Sequence, residues 1–165
     1  MRSRGSTHVN EKEFTLDHTD RQIIDALQDN GRESYKSIAQ RLGVSDGTVR
    51  LRTERLLKSG YLRISASVNP MFFEDGLTAT VGVSLEGRAN AQIMQAIASL
   101  EGVQSVSNVS GRFDLLVEIH VASRSDLRRF LVDDLSAIGA VQNTETFLYL
   151  ETINKWVQQR QEDPK

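Results

Sequence analysis

Cysteine is absent from the 165 residues, which excludes a disulfide framework, a thiol nucleophile and any zinc site built on thiolates. Histidine is scarce: His8, His18 and His120 lie far apart, so no metal is expected. No apolar run approaches the roughly 20 residues a membrane helix needs. Residues 1–10 lack the apolar core of a secretory signal. A cytoplasmic protein without membrane contact is the expectation. Neither a phosphate-binding glycine loop nor a His–carboxylate constellation is present, so an enzyme is not expected and no catalytic residue or cofactor is assigned.

What remains is an ordinary globular composition, with 39% hydrophobic and 25% charged residues. The formal net charge of -2 conceals an asymmetry. Residues 1–64 hold 12 Lys and Arg against 9 Asp and Glu, whereas residues 65–165 hold 8 against 13. The excess concentrates after Gly31. Eight basic residues (Arg32, Lys36, Arg41, Arg50, Arg52, Arg55, Lys58 and Arg63) face three acidic ones (Glu33, Asp46 and Glu54) before residue 65. A basic stretch on an acidic protein fits a polyanion partner, because phosphate contacts release counterions; a merely solvated helix surface is the alternative.

Residues 1–15 are polar and aperiodic, a flexible tail in which Arg2 and Arg4 could touch DNA. Asp17 then suits an N-cap, with Asp20 three residues on and Ile23, Ile24 and Leu27 on one helical face up to Gly31. A second helix starts at Ser34 and ends at Gly43; a third starts at Ser45, turns Val49 and Leu56 inward, and stops at Gly60. The alternation from Tyr61 to Val68 predicts a strand closed by Asn69-Pro70, so a hinge and linker are expected over 65–75. Beyond it the pattern reads β-α-β-β-α-β: a strand at Ala79–Leu85, a helix from Ala89 to Leu100, strands around Val103–Val109 and Leu115–Val121, a helix capped by Ser125 and Asp126, and a last strand from Val141 to Ile153. That order is the split βαβ pattern of a ferredoxin-like sandwich over 76–153, followed by a tail at 154–165.

Within 16–64 one spacing carries recognition. Ala39 is small where two helices cross, Gly43 falls four residues later where the chain needs positive φ, and Val49 six residues after that pins the next helix. This is helix-turn-helix spacing. The third helix would present Ser45, Asp46, Thr48, Arg50, Arg52, Glu54 and Arg55 to double-stranded DNA. Ser45 and Thr48 at the helix start suit phosphates, and Arg50 suits guanine.

Leu16-Asp17-His18-Thr19-Asp20, Gly31-Arg32, Ser34-Tyr35, Ile38-Ala39, Leu42-Gly43-Val44-Ser45, Val49, Arg52, Leu56 and Gly60-Tyr61 resemble the N-terminal half of Lrp/AsnC (feast/famine) transcription regulators. The likeness continues through Asn69-Pro70, Val103, Ser110-Gly111-Arg112-Phe113-Asp114 and Thr144-Glu145-Thr146. The resemblance implies an α+β protein with a winged helix-turn-helix and a C-terminal ligand-sensing domain of the RAM type. It further implies homodimers formed through the second domain, assembly to octamers, and a small-molecule effector, usually an amino acid, bound between dimers. Carried onto this chain, Gly111, Arg112, Phe113 and Asp114 would line the effector cleft, with Thr144 and Thr146 nearby. Two departures stand out: Gly47-Thr48 replaces a proline-containing helix start, and Thr53 stands where an aliphatic residue is expected.

Each residue in the second half also has a plainer reading. Gly111 to Asp114 reads as a β-turn with Asp114 bonding its own backbone, and Thr144 and Thr146 as good strand formers. His120 is expected to face solvent or an interface, and Asp133-Asp134 to be a solvated helical face. Phe147 and Tyr149 share one strand face for packing on helices or another subunit; Trp156 is a possible C-terminal anchor. The expected function is a sequence-specific, ligand-responsive transcription regulator. The competing reading is an architectural protein that wraps DNA without an effector, in which Gly111 to Asp114 is only a turn.

Overall fold

The computed structural model describes residues 15–73 and 75–158, which fall into two compact units that divide after Ser65. The tail at residues 1–14, with Arg2 and Arg4, lies outside the described residues, as do residues 159–165.

The first unit is three helices, α1 (His18–Asp29), α2 (Tyr35–Leu42) and α3 (Asp46–Ser59), each begun by a polar cap. Asp17 accepts from the Asp20 N–H at 2.9 Å while Asp20 accepts from the Asp17 N–H at 3.1 Å, a reciprocal capping box. Ser34 and Ser45 each accept from the backbone N–H three residues on, at 3.1 Å. Gly43 sits at φ 67° between α2 and α3, where a side chain would be strained. Ile23, Ala26, Leu27, Ile38, Ala39, Val49 and Leu56 form the buried core. Thr53 joins them on the inner face, fully buried, and its hydroxyl has no hydrogen-bond partner.

The second unit is a four-stranded antiparallel sheet in the order β2-β3-β1-β4, built from β1 (Leu77–Leu85), β2 (Val103–Asn108), β3 (Leu115–Val121) and β4 (Val141–Leu148). With α4 (Ala91–Ala98) and α5 (Arg124–Arg129) it makes the βαββαβ sandwich that the pattern predicts. Ala79, Val81, Val83 and Leu85 alternate onto the helix-covered face, where they meet Leu115, Val117, Ile119, Ile97, Phe130 and Leu135. The other face carries Thr78, Thr80, Gly82 and Ser84 of β1.

Four expectations are corrected. Tyr61–Val68 forms no strand: only Val68 pairs, through an isolated bridge to Val157, and no β wing is seen among the described residues of the first unit. Alternation supplies propensity, but a strand exists only where a neighbour offers ladder partners. Within the expected tail, residues 154–158 are tied down, because Val157 is buried in that bridge and Lys155 reaches Glu118 at 2.8 Å. The cap of α5 is Ser123, two residues before the expected Ser125. Past Arg129 the helix widens into a π turn (Phe130–Asp134), which lets Phe130 and Leu135, five residues apart, both enter the core. Finally, His120 does not face solvent. It is buried, its Nδ1 2.9 Å from the Thr78 hydroxyl and its ring 5.3 Å from that of Phe73. Burial holds its pKa below the usual histidine value.

Candidate nucleic-acid interface and ligand wall

Helix α3 buries Val49, Thr53 and Leu56 and exposes most of the rest. The sequence-assigned residues therefore do not share one environment. Ser45 Oγ and Thr48 Oγ1 are 2.8 Å apart at the helix start, beside backbone N–H groups of the first turn. Asp46 and Glu54 are exposed. Arg50 is exposed, with only a 3.8 Å pairing to Asp46 and its guanidinium 5.6 Å from the Tyr35 ring centre on α2. A guanidinium resting on an aromatic face keeps its edge donors available.

Arg52 and Arg55 are different. Arg52 Nη1 lies 2.6 Å from Asp17 Oδ2 and 2.9 Å from Asp20 Oδ1, and Arg55 also bonds Asp20. Asp20 is fully buried, so the two arginines neutralise a carboxylate that the capping box places inside the unit. Hydrogen bonding to the Asp20 backbone, and then to Arg52, holds the Asp17 carboxyl below its ordinary pKa. The same carboxylates raise the Arg52 pKa. Both arginines thus join α3 to the start of α1. The capping box was legible in the sequence; its long-range partners were not, since they lie more than 30 positions away. Sequence reasoning also passed over Leu51, which projects from this helix 70% exposed.

In the second unit, residues 109–114 close the β2–β3 hairpin, with Val109 N–H donating to Asp114 O at 3.1 Å. Asp114 does not bond its own backbone as expected; its Oδ2 accepts from Leu85 N–H on β1 at 2.8 Å. Gly111 is exposed, with open space where a Cβ would stand. Phe113 lies flat against Gly82, where a Cβ would meet the ring at 2.6 Å, so glycine at 82 is what admits the ring. The Phe113 ring contacts Phe147 edge-on at 6.2 Å, and the Arg112 guanidinium stacks 4.6 Å from its centre while bonding Glu145.

Thr144 and Thr146 are not part of this group. They pair with Val83 and Val81, whose side chains enter the helix-covered core, so both threonines point to the face opposite Phe113. Period-two counting puts Glu145 and Phe147 on the Phe113 face instead; the sequence reading assigned Glu145 no role. Phe147 and Tyr149 pack on that open face rather than on helices, the Tyr149 hydroxyl 2.6 Å from Thr80 Oγ1. Trp156 stays 60% exposed beside the anchored Val157. A cavity of about 290 Å³ lies elsewhere in the unit, lined by residues including His120, Asp126, Arg129 and Asp134. Among the described residues no group of three or more His, Asp or Glu could hold a metal, and no helix is long and apolar enough to cross a membrane.

A helix-turn-helix with an exposed cationic helix, followed by a ferredoxin-like sandwich, defines a two-part DNA-binding regulator. Comparison with known proteins gives the family. Residues 16–57 match the AsnC-type helix-turn-helix domain, and residues 78–156 match the Lrp/AsnC ligand binding domain. An uncharacterised HTH-type transcriptional regulator of Pyrococcus furiosus is 34% identical over 86% of this chain and 95% of its own length. Among solved structures, the leucine response regulatory protein of Mycobacterium tuberculosis superposes with a TM-score of 0.73 at 26% identity, over 85% of this chain and 96% of the other. A Neisseria meningitidis transcriptional regulator, solved as its L-Met complex, gives 0.65 at 25% identity over 86% and 94%. The chain belongs to the Lrp/AsnC family: it is a transcription regulator with a DNA-binding helix-turn-helix and a ligand-binding domain, not an enzyme.

Proposed function

We propose that this regulator reads a specific operator through α3 and changes its assembly or DNA contact when an amino acid binds its second domain. The observation that carries the DNA arm is the division of labour on α3: the guanidiniums of Arg52 and Arg55 are bonded to Asp20, while Arg50, Ser45, Asp46 and Glu54 are exposed, with Thr48 half-buried beside Ser45. Arg50 is the residue for guanine, and the Ser45–Thr48 turn is the phosphate contact. A homodimer would set two copies of α3 in successive major grooves, giving a roughly palindromic operator.

Arg112 and Phe113, now with Glu145 and Phe147, form one wall of the effector site, and Asp114 follows directly in the chain. Its chemistry suits an amino acid. The Arg112 guanidinium can exchange Glu145 for a ligand carboxylate, Asp114 can take the ammonium through the oxygen that does not bond Leu85, and the two phenyl rings offer an apolar seat. The L-Met complex of the Neisseria relative supports this ligand class. A wall rather than an enclosed pocket is what a single chain would offer if the ligand sits between dimers, in a cytoplasmic assembly that extends to octamers.

The test has two arms. Genomic fragments retained by the full chain identify the operator, and an amino-acid panel is scanned for thermal shifts. A ligand that binds the native state raises the melting temperature. Retention of specific fragments with a shift from one or a few amino acids supports the reading. Compaction of any DNA, with no shift from any amino acid, would turn it into the architectural alternative.

A further inference from the structure

Two residues of α3 are unexplained by the fold that holds them. Gly47 sits in the first turn, in an ordinary helical conformation, and a Cβ there would meet nothing nearer than Ser45 Oγ at 3.9 Å. Glycine is a poor helix former, so a position with room for alanine gains nothing internally from lacking a side chain. Leu51, one turn on, is 70% exposed although the unit has a core for leucine to enter. At 3.6 residues per turn, Gly47, Leu51, Glu54 and Lys58 fall within a sector of about 60°, diametrically opposite Val49, Thr53 and Leu56. They are the outermost line of the helix.

Direction adds to position. Side chains on a helix lean toward its N-terminus, so Leu51 leans over the bare backbone at Gly47, about 6 Å back along the axis. The result is a notch with an apolar wall. Arg50 flanks it and Lys58 continues the line, so the surroundings suit a polyanion, while the notch itself suits an uncharged, methyl-sized group. In the major groove one base offers such a group: thymine, through its C5-methyl.

We propose that Gly47 and Leu51 form a thymine-selecting notch, Leu51 packing on the C5-methyl and Gly47 letting the helix seat deeply enough to bring it there. Glu54, one turn further, faces the adjacent step, where cytosine N4 is the donor a carboxylate accepts from. This rests on the proposed insertion of α3 into the groove and adds which base the centre of the helix selects.

The experiment uses the full chain. Duplexes are selected from a random pool, and in the tightest one each thymine is replaced in turn by deoxyuridine, which removes only the methyl. At one thymine per half-site the replacement weakens wild-type binding about fourfold, the factor that corresponds to one buried methyl. Leu51→Ala binds the unmodified duplex more weakly and is indifferent to uridine at that position. Gly47→Ala raises helix content and melting temperature yet weakens binding about tenfold. Uridine effects equal in wild type and Leu51→Ala, or no weakening by Gly47→Ala, would each overturn the notch. So would a Leu51→Ala variant whose only change is in oligomer mass, which would make Leu51 a protein contact. Failure to select any duplex would instead sink the DNA-reading proposal beneath it.

Discussion

Arg52, on the helix assigned to DNA, is bonded to Asp20, a carboxylate fully buried at the start of the first helix, at 2.9 Å. That pairing makes Arg52 a strut between two helices. Asp20→Ala removes the carboxylate that two arginines and the capping box share. It should cost about 3 kcal/mol, the lower end of the range for breaking a buried pair because both guanidiniums reach solvent. Denaturant unfolding of the two proteins measures it.

Arginine substitutions on the helix should then separate. Arg50→Ala is expected to weaken operator binding roughly tenfold or more, the lower side of a specific base contact, with stability unchanged. Arg52→Met is expected to lower stability by about 1–2 kcal/mol and leave affinity within about twofold below its melting temperature. Equal losses of affinity in both, by fluorescence anisotropy, would return Arg52 to the interface.

Thr53 buries a hydroxyl without a partner. Valine has nearly the same shape, so Thr53→Val should stabilise the first unit by about 1 kcal/mol, the desolvation cost relieved. A rise in the denaturant midpoint without a change in slope checks it.

Gly82→Ala should dislodge Phe113, whose ring stands 2.6 Å from where the new Cβ would be. A destabilisation of about 1–3 kcal/mol is expected from the overpacking. Loss of any amino-acid-induced thermal shift should accompany it, since Arg112 stacks on that ring.

Two pH windows should be distinguishable. His120 has a folded pKa lowered from 6.5 by burial, so the unfolded chain takes up its proton first. The associated stability is complete above about pH 6.5 and declines as pH falls toward the folded value; His120→Gln should remove that slope in thermal melts. Asp17 is lowered from 3.8 by the Asp20 backbone and then Arg52. Its contribution is complete above that pH and is lost only under stronger acid, as pH drops through its folded value.

Local chemistry was legible in the residues themselves. Caps at Asp17, Ser34 and Ser45, the glycine stop at 43, the Ala39–Gly43–Val49 spacing and the period-two alternation of Ala79–Leu85 each depend on neighbours within a few positions. Such short-range rules were enough for the three helices and the βαββαβ order of the sandwich; the family came from resemblance to known regulators, not from these rules. What they could not assign was the partner of any side chain that reaches across the fold. Tertiary structure alone paired Arg52 and Arg55 with Asp20, aimed Asp114 at Leu85, set Glu145 rather than Thr144 beside Arg112, buried His120 and denied Tyr61–Val68 a ladder. Hydrogen bonds and ion pairs are satisfied by whatever lies within about 3 Å in space, and separation along the chain does not encode that distance.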